Sequence, residues 1–177
     1  MHEQTDKADP VAEACERAKR MIDDDATREQ VLNCLVAAAE AVSGPRTVAS
    51  VLVLDDDGLL RNGASPNLPQ DYLDAIDGLR PHPSVGTCSV AAATGSVVVT
   101  PSFLSDERWA ELRHWPISLG FVGAWSMPIK SASDGRVLGT FGTYYRDTRQ
   151  PTPSEVAAVR ALASTAARAL EKDRQLC

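Results

Sequence analysis

Aromatic side chains are scarce in this chain: three Trp, three Tyr and three Phe make up 5% of its 177 residues. Cysteine is sparse as well. Cys15, Cys34, Cys88 and Cys177 stand far apart, which gives neither a disulfide framework nor a paired metal spacing. The three histidines are dispersed too, so no zinc site is expected and no cofactor motif is visible. Basic residues are outnumbered, 18 Lys and Arg against 24 Asp and Glu, for a net charge of −6. That balance leaves no broad phosphate-neutralising face, so nucleic acid is not an expected partner. No apolar run reaches membrane-spanning length; "VASVLVL" is strand-sized. The opening "MHEQTDKADP" is polar and acidic, unlike a signal peptide, and a reducing cytoplasm is the expected compartment. Phosphate-loop, dinucleotide and paired-carboxylate patterns are all missing, which leaves catalysis little support.

What is present reads as one α+β domain over residues 10–177, after a flexible polar tail at 1–9. Val11, Cys15, Ala18 and Ile22 recur at helical spacing over 10–23. A second helix starts at Thr27, with Gln30 three residues on as its capping-box partner, and Gly44–Pro45 stops it. "TVASVLVLD" is apolar on both faces and reads as a central strand; "DDDG" turns it into "LLRNGASP", its hairpin partner. The acidic run Asp55–Asp57 is more simply that turn than a metal site. "LPQDYLDAIDGL" is a short helix anchored by Tyr72, Leu73 and Ile76. "SVVVTP" is a short strand, and "SDERWAELRHWPISLG" is helical with a break at Pro116. "FVGAWSMPIKS" is a strand, and "DG" at 134–135 closes a hairpin onto "RVLGTFGTYYRD". The final helix follows Thr152 as cap, with Pro153 in its first turn and Glu155 completing a capping box.

These phrases, taken in order, resemble the GAF domain over roughly residues 26–171. The resemblance is carried by "LVLDDDGLLRNGASPNLPQDYLDAIDGL", "VGTCSVAAATGSVVV", "SDERWAELR", "GAWSMPIKSASDGRVLGTFGTYYRD" and "TPSEVAAVRALASTAARAL". It implies the GAF fold: a central antiparallel sheet of about five or six strands, terminal helices on one face, and a small-molecule pocket under short helices on the other. It also implies that the first and last helices pair in a homodimer, with Leu170 and Leu176 compatible with such a face.

The stretch "PHPSVGTCSVAAATG" is the natural floor for that pocket. Ser84 is positioned to cap a helix over about Gly86–Thr94, with Gly95 as its left-handed stop. The N–H groups of Gly86, Thr87, Cys88 and Ser89 then form a cup suited to an anion or a carbonyl or phosphate oxygen. Equally, Ala91–Ala93 could simply allow close packing, with those amides capped by Ser84 or water. Cys88 has two readings: an activated thiol at a helix start, or a buried, inert side chain. Trp109 and Leu112 lie on one side of the roof helix; Phe121, Trp125, Phe141 and Tyr144 are further candidate walls, with core packing the default for Trp125.

Departures from the family's subtypes narrow the ligand. Phe103, Asp106 and Glu107 stand one residue too close together, with no preceding Asn-Lys, for the cyclic-nucleotide signature. Ser89 stands where bilin-binding members often have histidine, and only Cys88 falls near the pocket, where the methionine-sulfoxide reductases of this fold need several cysteines. Nitrate-binding members use backbone amides and apolar walls, which the Gly86–Ser89 stretch matches better. The expected protein is a non-catalytic sensor of a small anion such as nitrate, or a small polar metabolite, acting through a separate partner such as a histidine kinase. The alternatives are a redox sensor or reductase using Cys88, and an interaction scaffold without ligand.

Overall fold

A computed structural model describes residues 9–175; of the expected tail at 1–9, residues 1–8 lie outside the described residues, as does Leu176, while Asp9 caps the first helix. Two helices open the chain, α1 (Pro10–Asp23) and α2 (Arg28–Ser43). The box at the start of α2 forms in both directions: Thr27 Oγ1 accepts from the Gln30 N–H, and the Gln30 side chain accepts from the Thr27 N–H. The hairpin β1 (Val48–Leu54) and β2 (Leu60–Ala64) follows. Asp55 closes its turn by accepting from the Asp57 and Leu59 N–H groups. Then come α3 (Gln70–Ile76), α4 (Cys88–Thr94), β3 (Val98–Thr100), a single 3-10 turn at Glu107–Trp109, and α5 (His114–Ser118). The hairpin β4 (Gly123–Lys130) and β5 (Val137–Tyr145) and the long α6 (Pro153–Gln175) complete the chain.

The five strands form one antiparallel sheet in the order β2-β1-β5-β4-β3. Strand alternation sends Val51, Val53, Trp125, Met127, Ile129, Phe141 and Tyr145 to one face, where α2 and α6 cover them and α1 packs against those two helices. Leu52, Ala124 and Tyr144 point to the other face, under α3, α4 and the 101–120 roof segment. At Gly139 of the central strand β5, a Cβ would collide with the Leu52 carbonyl oxygen of β1, so no other residue fits.

The structure departs from the sequence reading at three places. The roof helix is two short pieces, the 3-10 turn and α5. Pro116 does not break α5; it sits in the first turn, where its missing N–H has no helical partner to lose. α4 begins at Cys88, and Ser84 does not cap it. Gly86, at φ +66°, turns the chain away from a helical path just before it, and the Ser84 N–H and hydroxyl lie 3.1 and 3.2 Å from His82 Nδ1. Leu170 is buried among α1, α2 and the sheet, so it is not available to a dimer face.

Candidate functional site

Between the sheet and the short helices lies a narrow hollow. Its floor is Leu52 from β1 and Tyr144 from β5; Tyr72 and Ile76 of α3, with Leu79, form one wall. Trp109 and Leu112 hang from the roof, and Gly86–Ser89 close the remaining end. Its volume is about 20 Å³, roughly the room one water molecule needs. Most of the lining is apolar, and the polar groups gather at two places. Tyr72 and Tyr144 share a buried hydrogen bond, 2.7 Å between hydroxyls. Burial pushes the titration of both phenols upward, so both stay protonated, one hydroxyl donating to the other.

That pair makes a direct prediction. Either Tyr→Phe change strands the other hydroxyl in an apolar site and is expected to cost about 1–3 kcal/mol in chemical denaturation. Tyr72→Phe with Tyr144→Phe should cost less than the sum, because no lone hydroxyl is then left.

The second polar group surrounds Cys88. Its Sγ lies 3.2 Å from Ser126 Oγ, and the Ser126 hydroxyl donates to Thr87 Oγ1 at 2.9 Å. Burial pushes the Cys88 thiol up, only partly offset by its hydrogen bonds, first among them Ser126. Of the other described cysteines, Cys15 and Cys34 sit on α1 and α2, across the sheet, so neither can resolve a sulfur intermediate at Cys88.

The amide cup is smaller than the sequence suggests. The Gly86 N–H donates to the Arg108 carbonyl at 2.7 Å. The N–H groups of Thr87, Cys88 and Ser89 have no acceptor among the described residues. The same Arg108 fastens the roof to the sheet edge. Its guanidinium binds both carboxylate oxygens of Asp106 and the Val99 carbonyl, while Thr100 Oγ1 donates to Asp106 and accepts from Trp109 Nε1. Arg108 beside it holds the Asp106 carboxyl at about 2, well below the usual carboxylate value.

Seven of the ten candidate residues therefore meet at the hollow: Gly86, Thr87, Cys88, Ser89, Trp109, Leu112 and Tyr144. Phe121 stands behind Tyr144, ring centroids 5.2 Å apart, with Arg146 stacked on its far side. Trp125 and Phe141 are corrections. They alternate with Ser126, Gly142 and Tyr144, which lie on the sheet face that carries the hollow, so both point into the opposite core. The lining residues Leu52, Tyr72, Ile76 and Leu79 went unassigned in the sequence; a helix anchor and a strand apolar on both faces carry no mark of which cavity they border.

Residues 25–171 match the family described as the GAF domain. The chain belongs to the GAF domain family. A curated relative, the methyl sulfide methyltransferase-associated sensor of Methanosarcina acetivorans, is 35% identical over 147 residues. That alignment takes in 82% of this chain and 14% of the relative, so this GAF domain corresponds to a small part of that protein. Among solved structures, the domain of a protein described as a two-component sensor histidine kinase from Sinorhizobium meliloti 1021 superposes with a TM-score of 0.67 at 22% identity, covering 82% of this chain and 92% of that one. Free methionine-R-sulfoxide reductase from Neisseria meningitidis, solved with its substrate, matches at TM-score 0.67 and 18% identity over the whole of both chains. At those identities the likeness establishes the shared fold. Among the described residues, no helix is long and apolar enough to cross a membrane, and no group of His, Cys, Asp and Glu is placed to hold a metal.

Proposed function

We propose that this GAF domain is a non-catalytic sensor of one small ligand, bound in the hollow beneath the roof and reported to a separate cytoplasmic partner. The observation that carries the reading is the small, almost wholly apolar hollow bordered at one end by Thr87–Ser89, whose three N–H groups have no acceptor among the described residues. A relative named as a sensor supports the signalling role. The hollow is too small for any ligand larger than water as it stands, so binding requires the roof or α3 to move outward. That displacement is the signal. A small anion such as nitrate suits the three amides and the Thr87 hydroxyl; a longer ligand would need an apolar body to lie along Leu52 and Ile76. Pairing of the terminal helices in a homodimer, with a histidine kinase as partner, is the output route that fits a sensor of this family.

The redox alternative has less behind it. The reductase neighbour shares the fold, but here the thiol is buried, its titration is raised, and the other described cysteines lie across the sheet.

A thermal-shift screen of nitrate, halides, amino acids and nucleotides tests the proposal. A binder at a hundred times its dissociation constant adds about 2.7 kcal/mol, and the shift should survive Cys88→Ser. A shift that vanishes in Cys88→Ser supports the thiol chemistry instead. If no compound shifts the transition and native mass spectrometry finds no retained molecule, the domain is a scaffold.

A further inference from the structure

A second and much larger concavity lies on the far side of the sheet edge. β3 pairs with β4 only from Ala124 to Ser126, so the outer edge of β4 from Met127 to Lys130 has no neighbouring strand. α6 passes alongside, and the gap between helix and edge is a groove of about 450 Å³, within the size range of small-molecule sites. Val97, Met127, Pro128 and Ala163 give it an apolar strip beside the polar Ser96 and Ser164. Its rim carries two cations, Lys130 and Arg160, both exposed. No carboxylate lines the groove, and neither cation forms an ion pair among the described residues. In a chain of net charge −6, a groove of mixed polar and apolar lining whose only charged side chains are Lys130 and Arg160 is a selective feature.

The kind of occupant follows from the edge itself. An added β-strand would need a run of ladder donors, and Pro128 at the middle of this edge has no N–H to offer. An extended peptide is therefore disfavoured. We propose that the groove binds a small organic anion, an apolar ring or chain ending in a phosphate or carboxylate, with its body on Met127 and Ala163 and its anionic end between Lys130 and Arg160. Arg160 supplies a planar fork for two oxygens, and Lys130 a mobile point charge. Lys130 also lies across the end of α4: its Cε and Nζ are 3.4 and 3.5 Å from the position a Cβ would take on Gly95. An anion that draws Lys130 away thus touches the helix whose other end borders the central hollow.

The probe is 2-naphthyl phosphate, with inorganic phosphate and 2-naphthol as its separate halves, each titrated into the 15N-labelled full chain. The expected result is a saturable shift of the Gly95, Ser96, Lys130 and Ser164 amides with 2-naphthyl phosphate, and binding at least about tenfold weaker for each half. Lys130→Ala and Arg160→Ala should each weaken binding about tenfold. Ser164→Glu, which places a carboxylate on the exposed rim, should remove it. These are surface positions, so unchanged spectra elsewhere certify the fold. The proposal is overturned if the probe leaves those amides unmoved. It is equally overturned if the shifts fall instead at Thr87–Ser89 and Tyr144, or if the variants bind as the parent does.

Discussion

Trp125→Ala is expected to lower the unfolding free energy by about 3–5 kcal/mol, the largest single loss among the aromatic positions. Trp125 is wholly buried between β4 and the terminal helices, in the same cluster as Met127, Ile129 and Phe141. Truncation leaves a large hole in a layer where strands and three helices are already packed, so collapse can refill little of it. A pocket wall would behave differently, because loss there falls on the ligand as well as on stability. Urea denaturation with ligand titration separates the two. Large destabilisation with unchanged affinity of the folded fraction is predicted, and weakened binding without destabilisation would return Trp125 to the site.

Glu155→Ala is expected to cost about 2–4 kcal/mol, less than a fully enclosed ion pair because Arg149 keeps partial access to water. Glu155 is buried at the start of α6; it accepts from the Tyr145 hydroxyl at 2.7 Å and from Arg149 at 2.8 Å. Arg149 stacks 3.8 Å from the Tyr145 ring centroid and donates to the carbonyl of Ser43 at the end of α2. One carboxylate thus joins α6, β5 and α2. Tyr145 is also the chain neighbour of Tyr144, which faces the hollow from the opposite side of the same strand. Under the proposed function, a shift of β5 on ligand entry would be passed to α6 and α2 through this junction. Glu155→Gln keeps the shape and one acceptor, so a smaller loss is expected, read by thermal denaturation beside the alanine variant. A loss for Ala no greater than for an exposed Glu would contradict a stabilising role for this junction.

Local signals explain which parts of the fold were legible. The Thr27–Gln30 box, the Asp-Gly turn at 134–135 and the apolar spacing of α1 act within a few residues, and each element stands where those signals put it. Glu155 shows how a local signal can mislead in part. The Thr152 hydroxyl does accept from the Glu155 N–H, but the carboxylate turns to Tyr145 and Arg149, partners no capping pattern reveals. The facing of Trp125 was illegible for a related reason. β4 is buried on both sides from Gly123 to Ile129, so its sequence has no polar alternation to mark which residues face which layer. At the site, the approach of Cys88–Ser89 to Trp109 and Leu112 was suggested by the family resemblance. The Tyr72–Tyr144 pair spans 72 positions and depends on the sheet order, which local periodicity does not encode. The use of the Gly86 amide by Arg108 likewise depends on how the roof folds back.

The central assertion is that the hollow beneath the roof opens to admit a small ligand. Amide spectra of the 15N-labelled domain, recorded with the compound that stabilises it most, test this most directly. Saturable shifts are predicted at Thr87, Cys88, Ser89, Leu112 and Tyr144, together with movement of the Trp109 indole N–H as its bond to Thr100 is disturbed. A stabilising compound that leaves those signals in place, while shifting others, would contradict it.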